Sequence, residues 1–121
     1  MKKLLSIGVI AFLLGACANT GSDEKVSVYI KNGAIQCESD GKTGTETAML
    51  LSAQGIEVSQ NQCGHLSNIA VIAMCGGPAT NINVHQIRES DLAKAQALGF
   101  KNVETLKQAN HKGYDVSDCN E

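Results

Sequence analysis

Five cysteines offer most of the chemistry in this 121-residue chain, and they stand at positions 17, 37, 63, 75 and 119. No two of them form a C-x-x-C pair, the spacing used by many redox proteins and zinc sites. Cys17 belongs to a separate pattern at the amino terminus. The other four form an even set, which predicts disulfides in an exported chain. We expect two disulfides in the body of the protein, with four buried free thiols as the alternative.

Two thiols and the histidines raise a second possibility. Cys37 stands between the first predicted strand and the first predicted helix, where a reactive thiol would benefit from the positive end of the helix. Cys63 and His65 supply soft and imidazole ligands suited to copper or zinc. His65 is expected in a loop, His85 at a solvent-facing strand position, and His111 has no partner at ligand spacing. The favoured expectation is no catalytic residue, metal or cofactor; the alternative is a thiol-redox or soft-metal protein using Cys37 or Cys63 with His65.

Motifs for phosphate binding and hydrolysis are incomplete. Gly41-Lys42-Thr43 has the strand-to-helix context of a phosphate-binding loop, but the motif needs glycine at position 36, where Gln36 stands. No G-x-S-x-G is found in the sequence. Glu38 and Asp40 lie in a Ser/Gly-rich stretch and are expected to be solvated turn residues. Nothing in the sequence positively predicts an enzyme.

The elements that must position these residues follow from periodicity and capping. Thr43 and Glu46 form a capping box, so a helix should begin there and end before Gly55 in the left-handed conformation. Ser90 is expected to cap a second helix, which Gly99 ends with Phe100 making a Schellman contact. A third short helix is expected to include Val103 and Leu106. Strand patterns cover 26–30, 56–58, 69–74 and 82–85, of which 69–74 is expected to be buried on both faces.

The resulting order, βαβββα, predicts an α/β or α+β fold, a small mixed sheet with covering helices. This order resembles a reduced thioredoxin-like layout. If the strands ending near Ile30 and Val58 are parallel neighbours, their following loops meet at one edge of the sheet. That arrangement predicts a Cys37–Cys63 disulfide and leaves Cys75 to pair with Cys119.

The first 17 residues carry an export pattern. Lys2 and Lys3 precede an apolar run from Leu4 to Leu14, and Gly15-Ala16 then leads to Cys17. A membrane-spanning helix needs about 20 apolar residues, so this shorter run predicts a cleaved signal peptide. Leu14-Gly15-Ala16-Cys17 resembles the lipobox of bacterial lipoproteins. The resemblance implies that Cys17 is acylated with a diacylglyceryl group and becomes the first residue of the mature chain.

Three segments follow: a signal peptide at 1–16, a flexible lipid-anchored tether at 17–25 and one small globular domain at 26–121. Ordinary secretory cleavage after Ala18, which would release a soluble protein, is the alternative. By the resemblance, Ala18 rather than aspartate after the acylated cysteine favours the periplasmic face of the outer membrane in a cell with two membranes. The expected partners are the membrane, through lipid on Cys17, and an envelope protein or small ligand.

Charge excludes one class of partner. Cleavage before Cys17 removes Lys2 and Lys3, leaving eight basic and twelve acidic residues and a formal net charge of −4. The remaining basic residues are scattered along the chain. Nucleic acid is therefore not an expected partner.

Overall fold

The computed structural model describes residues 24–67 and 69–119. The predictions made for the signal peptide, for Cys17 and for residues 17–23 of the tether lie outside these ranges. Two α-helices and five strands are formed: β1 Lys25–Lys31, α1 Gly44–Ser52, β2 Gln60–Leu66, β3 Asn81–Arg88, α2 Leu92–Ala97, β4 Lys101–Asn102 and β5 Tyr114–Ser117. Short 3₁₀ turns cover Glu89–Asp91 and Val103–Leu106. The mixed α and β class is confirmed, and Lys25, expected in the tether, begins β1.

The strands form one five-stranded sheet in the order β4-β1-β3-β2-β5. Every neighbouring pair is antiparallel, and β3 lies between β1 and β2. The expected parallel crossover between the first two strands is therefore wrong. The predicted βαβββα order has three strands between the two helices, whereas the structure has two, β2 and β3. Both this order and the thioredoxin-like layout are therefore wrong.

Apolar residues pack on both faces of the sheet, so β3 is buried along most of its length. On one face, Ile87 and Val28 pack beneath the helices with Leu51 of α1 and Phe100 after α2. On the other face, Ile82 and Val84 belong to a second cluster completed by Tyr29, Leu66, Val103 and Tyr114. Alternating side chains along a strand supply the two clusters.

The helix ends follow the sequence signals closely. Thr43 Oγ1 accepts a hydrogen bond from Glu46 N at 3.1 Å, and Glu46 Oε2 accepts one from Thr43 N at 2.8 Å, which confirms the capping box. Gly99 has a φ of 98°, and Phe100 N donates to Ala95 O, the long bond of a Schellman motif. Ser90 is not the cap that was expected, because it lies inside the 3₁₀ turn before α2.

Two predicted strands are wrong, and three observed strands, β2, β4 and β5, were not predicted. Residues 56–58 form no strand, although Ile56 is buried in the helix-side core. Residues 69–74 also form no strand, and all six are exposed. The strand that lies between these two segments is β2, whose sequence QNQCGHL has little strand propensity. It is held by pairing on both sides, to β3 and to β5.

The chain enters the sheet at one end and presents its apolar segment at the other. Lys25 is at the start of β1, opposite Arg88 at the end of β3. The connection from β2 to β3 lies beyond the far end of β1, where Lys31 pairs with Ile82. Seven strand residues separate these ends by about 20 Å. Within the described ranges, no helix is long and apolar enough to cross a membrane.

Candidate functional site

The four cysteines of the domain form two disulfides, Cys37–Cys75 and Cys63–Cys119. Two disulfides were expected, but the predicted pairs, Cys37–Cys63 and Cys75–Cys119, are wrong. The reason is the antiparallel sheet, in which β3 separates the strands that carry the first two loops. A bridge between Ile35 and Pro78 instead brings the loop after β1 beside the loop before β3.

Each disulfide links residues that lie outside the helices and strands: Cys119 follows β5, and Cys37 and Cys75 lie in loops. Cys63 lies on β2 opposite Ser117 of β5, so its bond to Cys119 fixes the carboxyl-terminal residues to the sheet. Cys37 and Cys75 join two irregular loops, and Cys37 has a positive φ of 65°. Because both Cys37 and Cys63 are in disulfides, neither supplies a thiolate to a metal or to a redox reaction in this state.

A buried polar cluster lies between α1 and the sheet. His85 and Thr47 are each 0% exposed, and Asn83 is 1% exposed. His85 was expected to face solvent, but it stands on the helix-side face of β3 together with Asn83 and Ile87. Thr47 Oγ1 lies 2.7 Å from His85 Nε2, and Asn61 Oδ1 lies 2.7 Å from His85 Nδ1.

Asn61 Oδ1 can only accept, so Nδ1 of His85 donates to it. The Thr47 hydroxyl shares a hydrogen bond with Nε2 and also lies 3.2 Å from Gly44 O and 3.3 Å from Thr43 O. Asn83 Nδ2 donates to Thr47 Oγ1 at 3.1 Å and to the Lys42 and Thr43 carbonyls at 3.0 and 3.1 Å. The cluster therefore ties the first turn of α1 to β3 through satisfied hydrogen bonds.

The side-chain oxygen of Asn83 has no such hydrogen bond. Asn83 Oδ1 lies 3.6 Å from Cys63 Sγ. That sulfur is bonded to Cys119 and carries no hydrogen, so it cannot donate. No other donor to Asn83 Oδ1 is found within residues 24–67 and 69–119. Burial of a carbonyl oxygen without a donor is costly, and it leaves Oδ1 able to accept from a small polar molecule.

Asn83 and Cys63 also line a cleft of about 330 Å³. Asn83, Cys63 and Cys119 line it beside the amino terminus of α1, and exposed polar residues form its rim, among them His65 and Asp118. His65 was expected in a loop but lies on β2. No group of three metal-ligating side chains occurs among the residues that the structure describes.

Gly41-Lys42-Thr43 also borders this cleft, and its local structure explains the glycine. Gly41 has a φ of 74°, and a Cβ there would meet Asn32 O and Ala34 N at 2.5 and 2.6 Å. Lys42 N donates to Asn32 O, and Thr43 caps α1. These three residues therefore form the turn that leads into α1.

A Ser-His-Asp arrangement, which the sequence did not suggest, lies where β2 ends and β5 begins. Ser67 Oγ is 3.3 Å from His111 Nδ1, and Asp115 Oδ1 is 3.5 Å from His111 Nε2. However, Gly113 N donates to Nδ1 at 2.8 Å and occupies the only lone pair that could take a proton from serine. All three side chains are exposed. We interpret this group as a fastening of the turn before β5 to the end of β2, since Ser67 N also donates to Gly113 O.

Residues 69–74, here called the apolar segment, form the most unusual surface of the domain. The sequence is Ile-Ala-Val-Ile-Ala-Met, and Ile72 and Met74 are 78% and 59% exposed. One side chain holds it: Gln36 Nε2 donates to Ile72 O, and Gln36 Oε1 accepts from Met74 N. The Cys37–Cys75 bond closes the same junction. Its exposed aliphatic side chains make the segment a candidate interaction surface.

Comparisons with known proteins give no relative for this architecture. No family model matches the chain. No curated protein and no solved structure matches it either.

Proposed function

We propose that this chain is a bacterial envelope lipoprotein, held at the membrane by lipid on Cys17. The observation that carries the proposal is the pairing of the other cysteines. The four cysteines of the domain form two disulfides with each other. The fifth cysteine, Cys17, therefore has no cysteine left to pair with in its own chain. An unpaired cysteine directly after Leu14-Gly15-Ala16 is the residue that lipobox processing uses.

The domain acts, in this proposal, as a non-catalytic binding or structural module. Its described histidines support this role: His85 links α1 to β3, and His111 fastens the turn before β5. The exposed apolar segment is suited to a protein surface, and the cleft above Asn83 is suited to a small polar ligand. The net charge of −4 on the mature chain disfavours nucleic acid.

The location follows from the anchor. A diacylated cysteine inserts two chains into the membrane, which suffices for stable attachment. If residues 18–24, between Cys17 and β1, behave as a flexible linker, they would span about 15 Å. The domain would therefore lie close to the membrane. Ala18 after the acylated cysteine favours the periplasmic face of the outer membrane where the cell has one.

Metabolic labelling with an alkyne fatty acid tests the anchor. The wild-type chain should incorporate the label, whereas Cys17→Ser should lose it and accumulate as an uncleaved precursor. Cys75→Ser is the matched control, because it also removes one thiol and should keep the label. Wild-type protein that begins at Asn19 and stays in the soluble fraction would refute the lipoprotein assignment.

A further inference from the structure

We propose that the apolar segment is a self-association surface that pairs with the same segment of a second copy of this chain. The pairing is antiparallel about a two-fold axis at Val71. It goes beyond the anchoring role, because two domains would be joined at the end of the sheet opposite their tethers.

The backbone of the apolar segment has one free edge. Gln36 binds Ile72 O and Met74 N, so these two residues present their polar groups toward Gln36. In an extended chain, alternate residues present these groups to opposite sides, so Val71 and Ala73 present theirs away from Gln36. Among the described residues, the N–H and C=O groups of residues 69–71 and 73 have no hydrogen-bond partner. Such an edge is a template for another strand.

The side chains select a second copy as the occupant. Antiparallel pairing of the outward residues places Val71 opposite its own counterpart, Ile69 opposite Ala73, and Ala70 opposite Ile72. Each large side chain then faces a small one, and the two valines face each other on the axis. The sequence Ile-Ala-Val-Ile-Ala is therefore complementary in volume to its own reverse, as an interface with two-fold symmetry requires.

Charge at the two ends of the apolar segment agrees with this orientation. Glu38 lies beside its carboxyl-terminal end, where its Oε1 is 3.6 Å from the position of a Cβ on Gly76. Lys112 precedes Gly113, whose carbonyl accepts from Ser67 N two residues before the apolar segment, and Lys112 Nζ lies 4.6 Å from the centroid of the Tyr114 ring. Antiparallel pairing brings the Glu38 end of each copy toward the Lys112 end of the other. This complementarity acts against the repulsion between two acidic domains.

The proposed interface between the two apolar segments is small, so we expect a low affinity. A stable interface buries about 1,200 to 2,000 Å² in total, more than two six-residue segments provide. The dimer in solution should therefore be weak and dependent on concentration. If the chain is anchored as proposed above, confinement to one membrane raises the effective concentration of the second copy.

Sedimentation equilibrium of the mature chain carrying Cys17→Ser tests the pairing without lipid. The chain should pass from monomer to dimer as concentration rises. Val71→Glu places two like charges on the axis and should raise the dissociation constant at least tenfold. Val71→Lys alone should do the same, but an equimolar mixture of the two variants should form a heterodimer. Met49→Glu, at a 64% exposed position on α1, is the control and should leave the dimer unchanged.

Amide hydrogen exchange gives a second readout. The N–H groups of Ile69, Val71 and Ala73 should exchange more slowly at high concentration, whereas those of Ala70 and Ile72 should not change. The proposal is overturned if the Cys17→Ser chain with no further substitution remains monomeric at millimolar concentration. It is equally overturned if the Val71 variants associate as the wild type does, or if the dimer is lost only in Met49→Glu.

Discussion

Thr47 on α1 and His85 on β3 share a 2.7 Å hydrogen bond in a region that excludes solvent from both side chains. The Thr47 hydroxyl also accepts a hydrogen bond from Asn83 Nδ2, so its oxygen contacts two other buried side chains.

We expect Thr47→Val to destabilise the domain by about 1–3 kcal/mol, because it keeps the shape of the side chain and leaves His85 Nε2 without its hydrogen-bond partner. Urea unfolding measures the change. Ser52→Ala, at an exposed position of the same helix, should have an effect below about 0.5 kcal/mol. Equal stability of Thr47→Val and wild type would contradict the role given to the cluster.

The sequence was a good guide where a local rule decides the structure. The capping box at Thr43 and Glu46 and the Schellman contact at Gly99 and Phe100 are both formed as predicted. These motifs depend on backbone groups within a few residues of one another, so the neighbouring sequence is sufficient to specify them.

Prediction failed where distant pairing overrides local preference. The polar residues of β2 become a strand because β3 and β5 lie on either side, and Cys63 is fastened to Cys119. The apolar segment has the hydrophobicity of a buried strand, yet the Cys37–Cys75 bond and Gln36 hold it at the surface. His85 was misplaced for the same reason, since alternation along β3 does not reveal that both faces of the sheet are covered.

The disulfides should make comparable contributions to stability. Their loops contain 38 and 56 residues, for which chain entropy gives about 4 kcal/mol each. Replacing both members of either pair by alanine should lower the free energy of unfolding by amounts near this value. Non-reducing peptide mapping should recover Cys37 with Cys75 and Cys63 with Cys119. A peptide joining Cys37 to Cys63 would contradict the antiparallel arrangement.

Tyr114 should make stability fall at alkaline pH. Burial, followed by the nearby Glu104 carboxylate, raises the pKa of its phenol above 10.0. The folded state thus holds this proton more tightly than the unfolded state, and the stabilisation is complete below pH 10. It should be lost as pH rises through the folded pKa. Urea titrations between pH 8 and 11 should show a smaller alkaline loss in Tyr114→Phe; an identical loss would assign the effect to another group.

Gly113 should tolerate alanine far less than Gly55. Both have positive φ, 93° and 75°. A Cβ at Gly113 would collide with Leu106, whereas one at Gly55 meets nothing within 4 Å. Gly55→Ala should cost about 1–2 kcal/mol, the usual cost of the left-handed conformation, and Gly113→Ala more than this. Thermal unfolding of the two variants decides the order, and a reversed order would show that the turn before β5 relaxes easily.

Ser67 should be unreactive as a nucleophile. Because Gly113 N–H occupies His111 Nδ1, the imidazole cannot activate the hydroxyl. A fluorophosphonate probe should leave wild type and Ser67→Ala equally unlabelled. Labelling that disappears in Ser67→Ala would overturn this interpretation and favour a hydrolase.

The positions of Lys25 and the apolar segment at opposite ends of the sheet also have a mechanical consequence. A pull between the amino terminus and residues 69–74 would act along β1, nearly perpendicular to its hydrogen bonds with β3. All seven residue pairs of that ladder would be loaded together in shear, and none could be peeled away singly. If the ladder yielded, the Cys37–Cys75 bond would still hold, because it joins the loop after β1 covalently to the end of the apolar segment. The domain is therefore built to resist tension along the line from its tether to its far end.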